Sequence, residues 1–242
     1  MQIDFYEEFP IKENIEKLNL VKFRTRVFVA GKSLNEFYTI EKQIKKIRNK
    51  KIRLAYWPII KNSYWISPFS ETKDLVELFN ELDKTKIELL IDLEPPLKRS
   101  MIFKNLFKIG KNKKIIQRFM EKNKGRITTA QIPSSILSGL ARVFGLEYKI
   151  DCEKSLMFYS SMISRPVRKH IISHLRKIKD KNNYVIGLGT IDLGILGDEP
   201  ILSPENLEKD LELVKKLGFE KVVIFRLSGL NQEYLRVIEK YV

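Results

Sequence analysis

Residues 87–96, IELLIDLEPP, carry two carboxylates, Asp92 and Glu94, at the end of a continuous apolar run. Such a run reads as a buried strand, and side chains two apart on a strand leave the same face. Leu90, Asp92 and Glu94 therefore share one face, and Leu89, Ile91 and Leu93 share the other. At roughly 3.3 Å of rise per residue the two acids stand about 7 Å apart along one rigid element. Pro95 and Pro96 then end the strand, because neither can donate to a ladder. Paired acids are suited to general acid–base work, above all at a glycosidic bond. Glu94 is the candidate general acid, its pKa raised by the apolar strand around it, with Asp92 as its charged neighbour.

The elements that must hold this pair alternate strand and helix eight times. Strands are expected at 2–5, 21–30, 52–60, the focal stretch, 126–132, 156–162, 184–191 and 221–227. The apolar stretch 148–152 competes with 156–162, which is assigned to the sheet. Helices are expected at 12–18, 34–49, 71–82, 98–124 with a break at Gly110, 167–179 and 232–241. A further one starts at Ser134 or Ser135 and ends near Gly145, and another starts at 203–205. Ser33, Ser70 and Ser203 read as caps, and Pro166 and Pro204 suit a first helical turn. Apolar strands alternating with helices imply a parallel sheet covered by helices. Eight such units imply an α/β fold, a single (β/α)8 TIM barrel spanning 1–242. A doubly wound open sheet is the alternative, but no glycine-rich phosphate fingerprint follows the first strand.

Bulk composition narrows the function. The chain has 242 residues, 43% of them hydrophobic, which is enough to bury a substantial core. The single cysteine, Cys152, excludes an intrachain disulfide and a thiolate metal site. No run reaches the ~20 apolar residues of a membrane span, and the opening MQIDFYEEFP lacks the pattern of a signal peptide. A cytoplasmic setting is expected. The net charge of +15 suggests a polyanion or an anionic membrane surface. The lysines are nevertheless spread among glutamates, as in thermophile proteins. No zinc-finger spacing, basic-region heptad or RNA-recognition motif is present, so no nucleic-acid partner is expected. His170 and His174 read as helix-surface residues. No cofactor and no metal site are expected, an all-oxygen Mg²⁺ site from Asp92, Glu94 and Asp192 being the one metal alternative.

Loop length localises the site. In a barrel the working face is where strands end, and three connections there are long: 60–69, 95–110 and 192–202. The first, with the strand before it, offers Tyr56, Trp57 and Trp65, flat faces that suit sugar rings, or that simply plug the mouth. Other strand ends supply Asp4, Gln131, Tyr159, Asp192 and Arg226. Asp192 is the candidate second carboxylate of a two-acid mechanism. Arg226 could lock an acid, bind an anionic substrate or form a structural ion pair. Gly187 and Gly189 remove bulk, either for a ligand or for packing. Segment 98–114 is basic and amphipathic, which suits peripheral membrane contact or, more simply, one face packed on the barrel.

The combination AYWPII, NSYWISPFS and LLIDLEPP resembles a group of uncharacterised glycoside-hydrolase-like TIM-barrel proteins. It also distantly resembles the family 18 chitinases, whose strand four ends in D-x-x-D-x-D-x-E. Asp92-Leu93-Glu94 matches the terminal D-x-E, and Tyr159 in LMFYSS matches a tyrosine on strand six. The resemblance implies that Glu94 is the proton donor, and that Asp92 and Tyr159 attend a substrate acetamide. Ile87 and Leu90 stand at the earlier acidic positions, no S-x-G-G follows strand three, and Ser160 replaces an aspartate. The reading is a barrel that acts on or binds a glycan. The alternatives are a non-catalytic binder of a glycan or glycolipid head group, and a basic protein of membrane surfaces or polyanions.

Overall fold

The computed structural model describes residues 1–98, 100–133 and 144–242. Eight strands pair in sequence order, all parallel, and the last closes on the first. They are β1 (Gln2–Glu7), β2 (Thr25–Gly31), β3 (Ile52–Pro58), β4 (Leu89–Asp92), β5 (Ile127–Gln131), β6 (Glu153–Met157), β7 (Tyr184–Gly189) and β8 (Lys221–Phe225). The described helices are α1 (Lys12–Glu16), α2 (Leu34–Lys46), α3 (Thr72–Leu82), α4 (Ser100–Lys104), α5 (Ile109–Asn123), α6 (Arg165–Lys177), α7 (Pro204–Lys216) and α8 (Gln232–Ile238). The chain is a (β/α)8 barrel. No described helix is long and apolar enough to cross a membrane. The helix expected from Ser134 or Ser135 lies outside the described residues.

Period-two alternation divides the apolar residues into two cores. Ile3 and Phe5 of β1, Leu89 and Ile91 of β4, and Val222 and Ile224 of β8 point outward, where the helices cover them. Tyr6, Leu90, Val223 and Phe225 point inward and fill the barrel with Phe28, Ala30 and Trp57. Every strand is buried on both faces, which is why the strands read as unbroken apolar runs.

The barrel floor is polar. Arg26, near the start of β2, bonds through Nε to Asp4 at 3.0 Å and reaches Glu153 of β6 at 2.5 Å. It also contacts Thr128 of β5 and lies 4.4 Å over the Phe28 ring. One guanidinium thus ties four strands and leaves its carboxylates paired, as buried charges require. Above it the Tyr6 hydroxyl donates to Ser155 Oγ across the barrel at 2.7 Å.

Several element ends differ from expectation. β1 continues to Glu7, so Asp4 lies near its beginning. β4 stops at Asp92, where the Ile66 amide takes its carbonyl at 3.1 Å and Leu93 pairs with Ile66. β6 occupies 153–157 rather than 156–162, so Tyr159 lies just past its end. The 98–124 helix breaks at Asn105, between α4 and α5; Gly110 is inside α5. Ser33 and Ser203 cap α2 and α7 through their side chains. Ser70 does not cap α3, because its hydroxyl is held by Ser63 at 2.7 Å and accepts from the Ser67 amide.

Candidate active site

A cavity of about 360 Å³ opens at the C-terminal end of the barrel, at the small end of the range for ligand pockets (~300–1,000 Å³). Its floor is Tyr6, Leu90 and Phe225, and its walls carry Trp57, Trp65 and Tyr159. Small residues make the room. Ala130 stands level with Asp92 across the β4–β5 ladder, and a side chain at Gly187 would meet the Tyr159 ring at 3.4 Å. Gly187 therefore eases the packing of Tyr159. The pairing of Ile66 with Leu93 turns the β3 loop back over β4 and brings Trp65 to the mouth beside the acids.

Asp92 and Glu94 both line this cavity, and their carboxyls are near enough to perturb one another. Asp92 is buried, at 4% exposure, while Glu94 is half-buried nearer the rim. Burial, then the repulsion of the neighbouring carboxylates, raises Asp92 well above the usual range. Burial, then repulsion from Glu8, pushes Glu94 up to about 7. Two neighbouring buried acids cannot both ionise cheaply, which favours the protonated form of the pair. Trp57 Nε1 approaches Asp92 and lowers its pKa slightly, yet Nε1 and Asp92 Oδ1 lack aligned partners among the described residues.

Two further acids meet the cavity, and the sequence reading missed both. Glu8 lies one alternation beyond Tyr6 and accepts the Tyr64 hydroxyl at 2.6 Å. Burial raises its pKa, and its Oε2 has no aligned partner among the described residues. Tyr64 adopts a left-handed backbone (φ 69°), costly for a bulky residue, and packs edge-on against Trp65 at 5.3 Å. Glu199 accepts the Leu196 and Gly197 amides at 3.1 and 3.0 Å, which folds the β7 loop onto the mouth. Gly194 sits between these acids. A Cβ there would lie 2.6 Å from Glu199 Oε1, 2.9 Å from Phe225 and 3.0 Å from Glu8 Oε2. The four carboxylates do not converge: among the described residues no three metal-binding side chains gather as an ion would need. No lysine, arginine or histidine lines the cavity among the described residues.

Of the residues singled out from sequence, Asp92, Glu94, Trp57, Trp65 and Tyr159 meet here. The others lie elsewhere. Asp4 belongs to the floor network at the opposite end, bonded to Arg26. Tyr56 faces outward, against Phe37 of α2 at 5.0 Å, with its hydroxyl on the Gly31 carbonyl at 3.0 Å. Adjacent strand residues cannot share a face, so Trp57 inside puts Tyr56 outside. Gln131 is outward for the same reason, Ala130 taking the inner position. Asp192 is held outside the cavity by Arg226 at 3.2 Å and Ser228 at 2.5 Å. Arg226 is structural: it grips the Leu193 carbonyl at 2.7 Å and Glu7 at 3.0 Å, pinning the β7 loop to β1.

No family model and no curated protein sequence matches this chain. Solved structures do. The Bacillus cereus spore cortex-lytic enzyme SleL is 11% identical and covers 99% of this chain and 74% of its own, with a TM-score of 0.61. A chitinase from Chromobacterium violaceum is 9% identical over 99% of this chain and 98% of its own, with a TM-score of 0.58. A glycoside hydrolase family 18 N-acetylglucosaminidase from Paenibacillus barengoltzii is 10% identical over 100% of this chain and 99% of its own, with a TM-score of 0.51. At these identities the likeness is one of fold: this chain is a (β/α)8 barrel whose fold distantly resembles that of the family 18 enzymes.

Proposed function

We propose that this barrel hydrolyses a glycan, with Glu94 as general acid and the acetamide of an N-acetylated sugar as internal nucleophile. One observation carries the reading: Asp92 and Glu94 stand side by side in an aromatic-walled cavity whose burial holds both carboxyls above their usual range. A general acid works best with a pKa near the working pH, and Glu94 at about 7 meets that condition. Trp57 and Trp65 offer flat apolar faces to a sugar ring. The names of the structural neighbours, a chitinase and an N-acetylglucosaminidase, agree with such a substrate.

The proton passes from Glu94 to the glycosidic oxygen as the bond from that oxygen to C1 breaks. The acetamide oxygen then closes on C1. Asp92 accepts the acetamide N–H, and the Tyr159 hydroxyl donates to the acetamide oxygen. Water opens the ring, losing its proton to Glu94. Asp192 has no part in this route, since Arg226 and Ser228 engage it outside the cavity. The test is reducing-end release from N-acetylglucosamine oligomers. Glu94→Gln should lower kcat by about 10²–10⁴-fold, the usual worth of a positioned acid. Full activity in that variant would overturn the assignment. Binding with no turnover by the wild type would instead favour the non-catalytic alternative.

A further inference from the structure

Thirteen large apolar side chains stand exposed among the described residues, and nine lie between 97 and 201, in loops that leave the ends of β4–β7. Scattered single exposures need no explanation, whereas a concentration at one end of a barrel marks a contact surface. Leu196 and Met162, 54% and 41% exposed, are themselves on the rim of the cavity. The most prominent are in the connection after β4, where Phe103 is 76% and Phe107 is 100% exposed.

This connection is built to hold them there. Met101 and Asn105, four apart, face the barrel and are buried, and the Asn105 amide donates to the Phe69 carbonyl at 2.8 Å. Phe103 and Phe107, on either side of the break at Asn105, stand out to solvent instead, with Leu106 at 45% exposure. The expected packing of one apolar face on the barrel is therefore met by Met101, with Ile102 and Ile109 half-buried, and the aromatics are left over. Residues 98–114 include seven lysines and arginines and no acid. Lys104 and Lys108 are steadied by Glu71 at 3.3 and 2.5 Å, and Lys98 and Lys111 stand exposed.

We infer that the mouth end of the barrel docks on an anionic lipid bilayer, with Phe103 and Phe107 inserted at the interface and the surrounding lysines on the head groups. Apolar side chains projecting from a lysine-rich, acid-free segment are the combination that an anionic bilayer binds, by burial of the rings and by charge attraction together. The cavity opens on the same end, so it would meet a sugar presented at the membrane. That last step rests on the glycan reading; the docking does not.

Flotation with vesicles of phosphatidylcholine, alone or with about one third phosphatidylglycerol, tests the docking at low and near-physiological salt. The protein should float with the anionic vesicles only, and F103S/F107S should weaken partition at least tenfold. Both rings are exposed, so this variant should melt like the wild type. Lys98→Glu with Lys111→Glu, equally exposed, should weaken it as well. Absence of binding to anionic vesicles would overturn the proposal. So would binding that F103S/F107S leaves intact, which marks attraction by net charge alone, or a dimer that F103S/F107S abolishes, which makes the patch an interface between copies of this chain. The vesicles carry no glycan, so the result is independent of whether the cavity cleaves a sugar.

Discussion

The Asp92–Glu94 pair ties stability, and the proposed activity with it, to protonation. Burial and repulsion, from Glu94 and Glu8 on Asp92 and from Glu8 on Glu94, raise both carboxyls above their values in the unfolded chain. The folded state therefore binds more protons, and this contribution is fully present at acid pH and is lost as pH rises through about 7. Two outcomes follow. The rate with a neutral glycan should fall above about pH 7 as Glu94 loses its proton, seen in a kcat/KM profile. Glu94→Gln should slow the reaction yet raise the melting temperature at about pH 8 by a few degrees, from relief of the order of 2 kcal/mol, with a smaller gain near pH 5. A melting temperature lowered equally at both pH values would contradict the raised carboxyl pKa. The pair itself was legible in the sequence because the alternation of a strand is strict. Glu8 was not. The strand was expected to stop at Phe5, so the inward series Asp4, Tyr6, Glu8 was cut before its last member, and Asp4 was mistaken for a strand end.

At the scale of elements, the loop after β7 shapes the mouth, and two residues hold it. Arg226 joins it to Glu7 and Asp192, and Gly194 lets it pass between Glu8 and Glu199. Arg226→Met would leave Glu7 buried without its cation, and should cost about 3–5 kcal/mol by chemical denaturation. Gly194→Ala would force its methyl against Glu199 Oε1 and Phe225, and should lower glycan affinity while leaving the far end of the barrel unchanged. Calorimetric titration reads the first effect, and amide exchange around Arg26 reads the second. The barrel was readable because eight apolar runs recur at one spacing, and Ser33 and Ser203 sit where local capping rules put them. Ser70 and the Asn105 break were not, since distant side chains decide both: Ser63 claims the Ser70 hydroxyl, and the Phe69 carbonyl claims Asn105. Tyr56 and Gln131 failed on parity, each next to the residue that does point inward.

For the whole molecule, charge is distributed unevenly in a way composition conceals. The chain carries +15, yet its cavity holds four carboxylates and, among the described residues, no cation. Glycans bearing carboxylate or phosphate groups should therefore bind at least tenfold more weakly than neutral ones of equal length, by competition with a fluorescent oligosaccharide; equal affinity would show the acids to be neutralised. The floor has one more consequence. With Arg26, Asp4 and Glu153 locked beneath Tyr6 and Ser155, the described residues close the bottom of the well. If the cavity cleaves a glycan as proposed, the product would leave through the opening by which its parent arrived, past Trp65 and Glu8. Accumulating product would then block the next arrival, and initial-rate plots should slope as competitive inhibition by the short sugar.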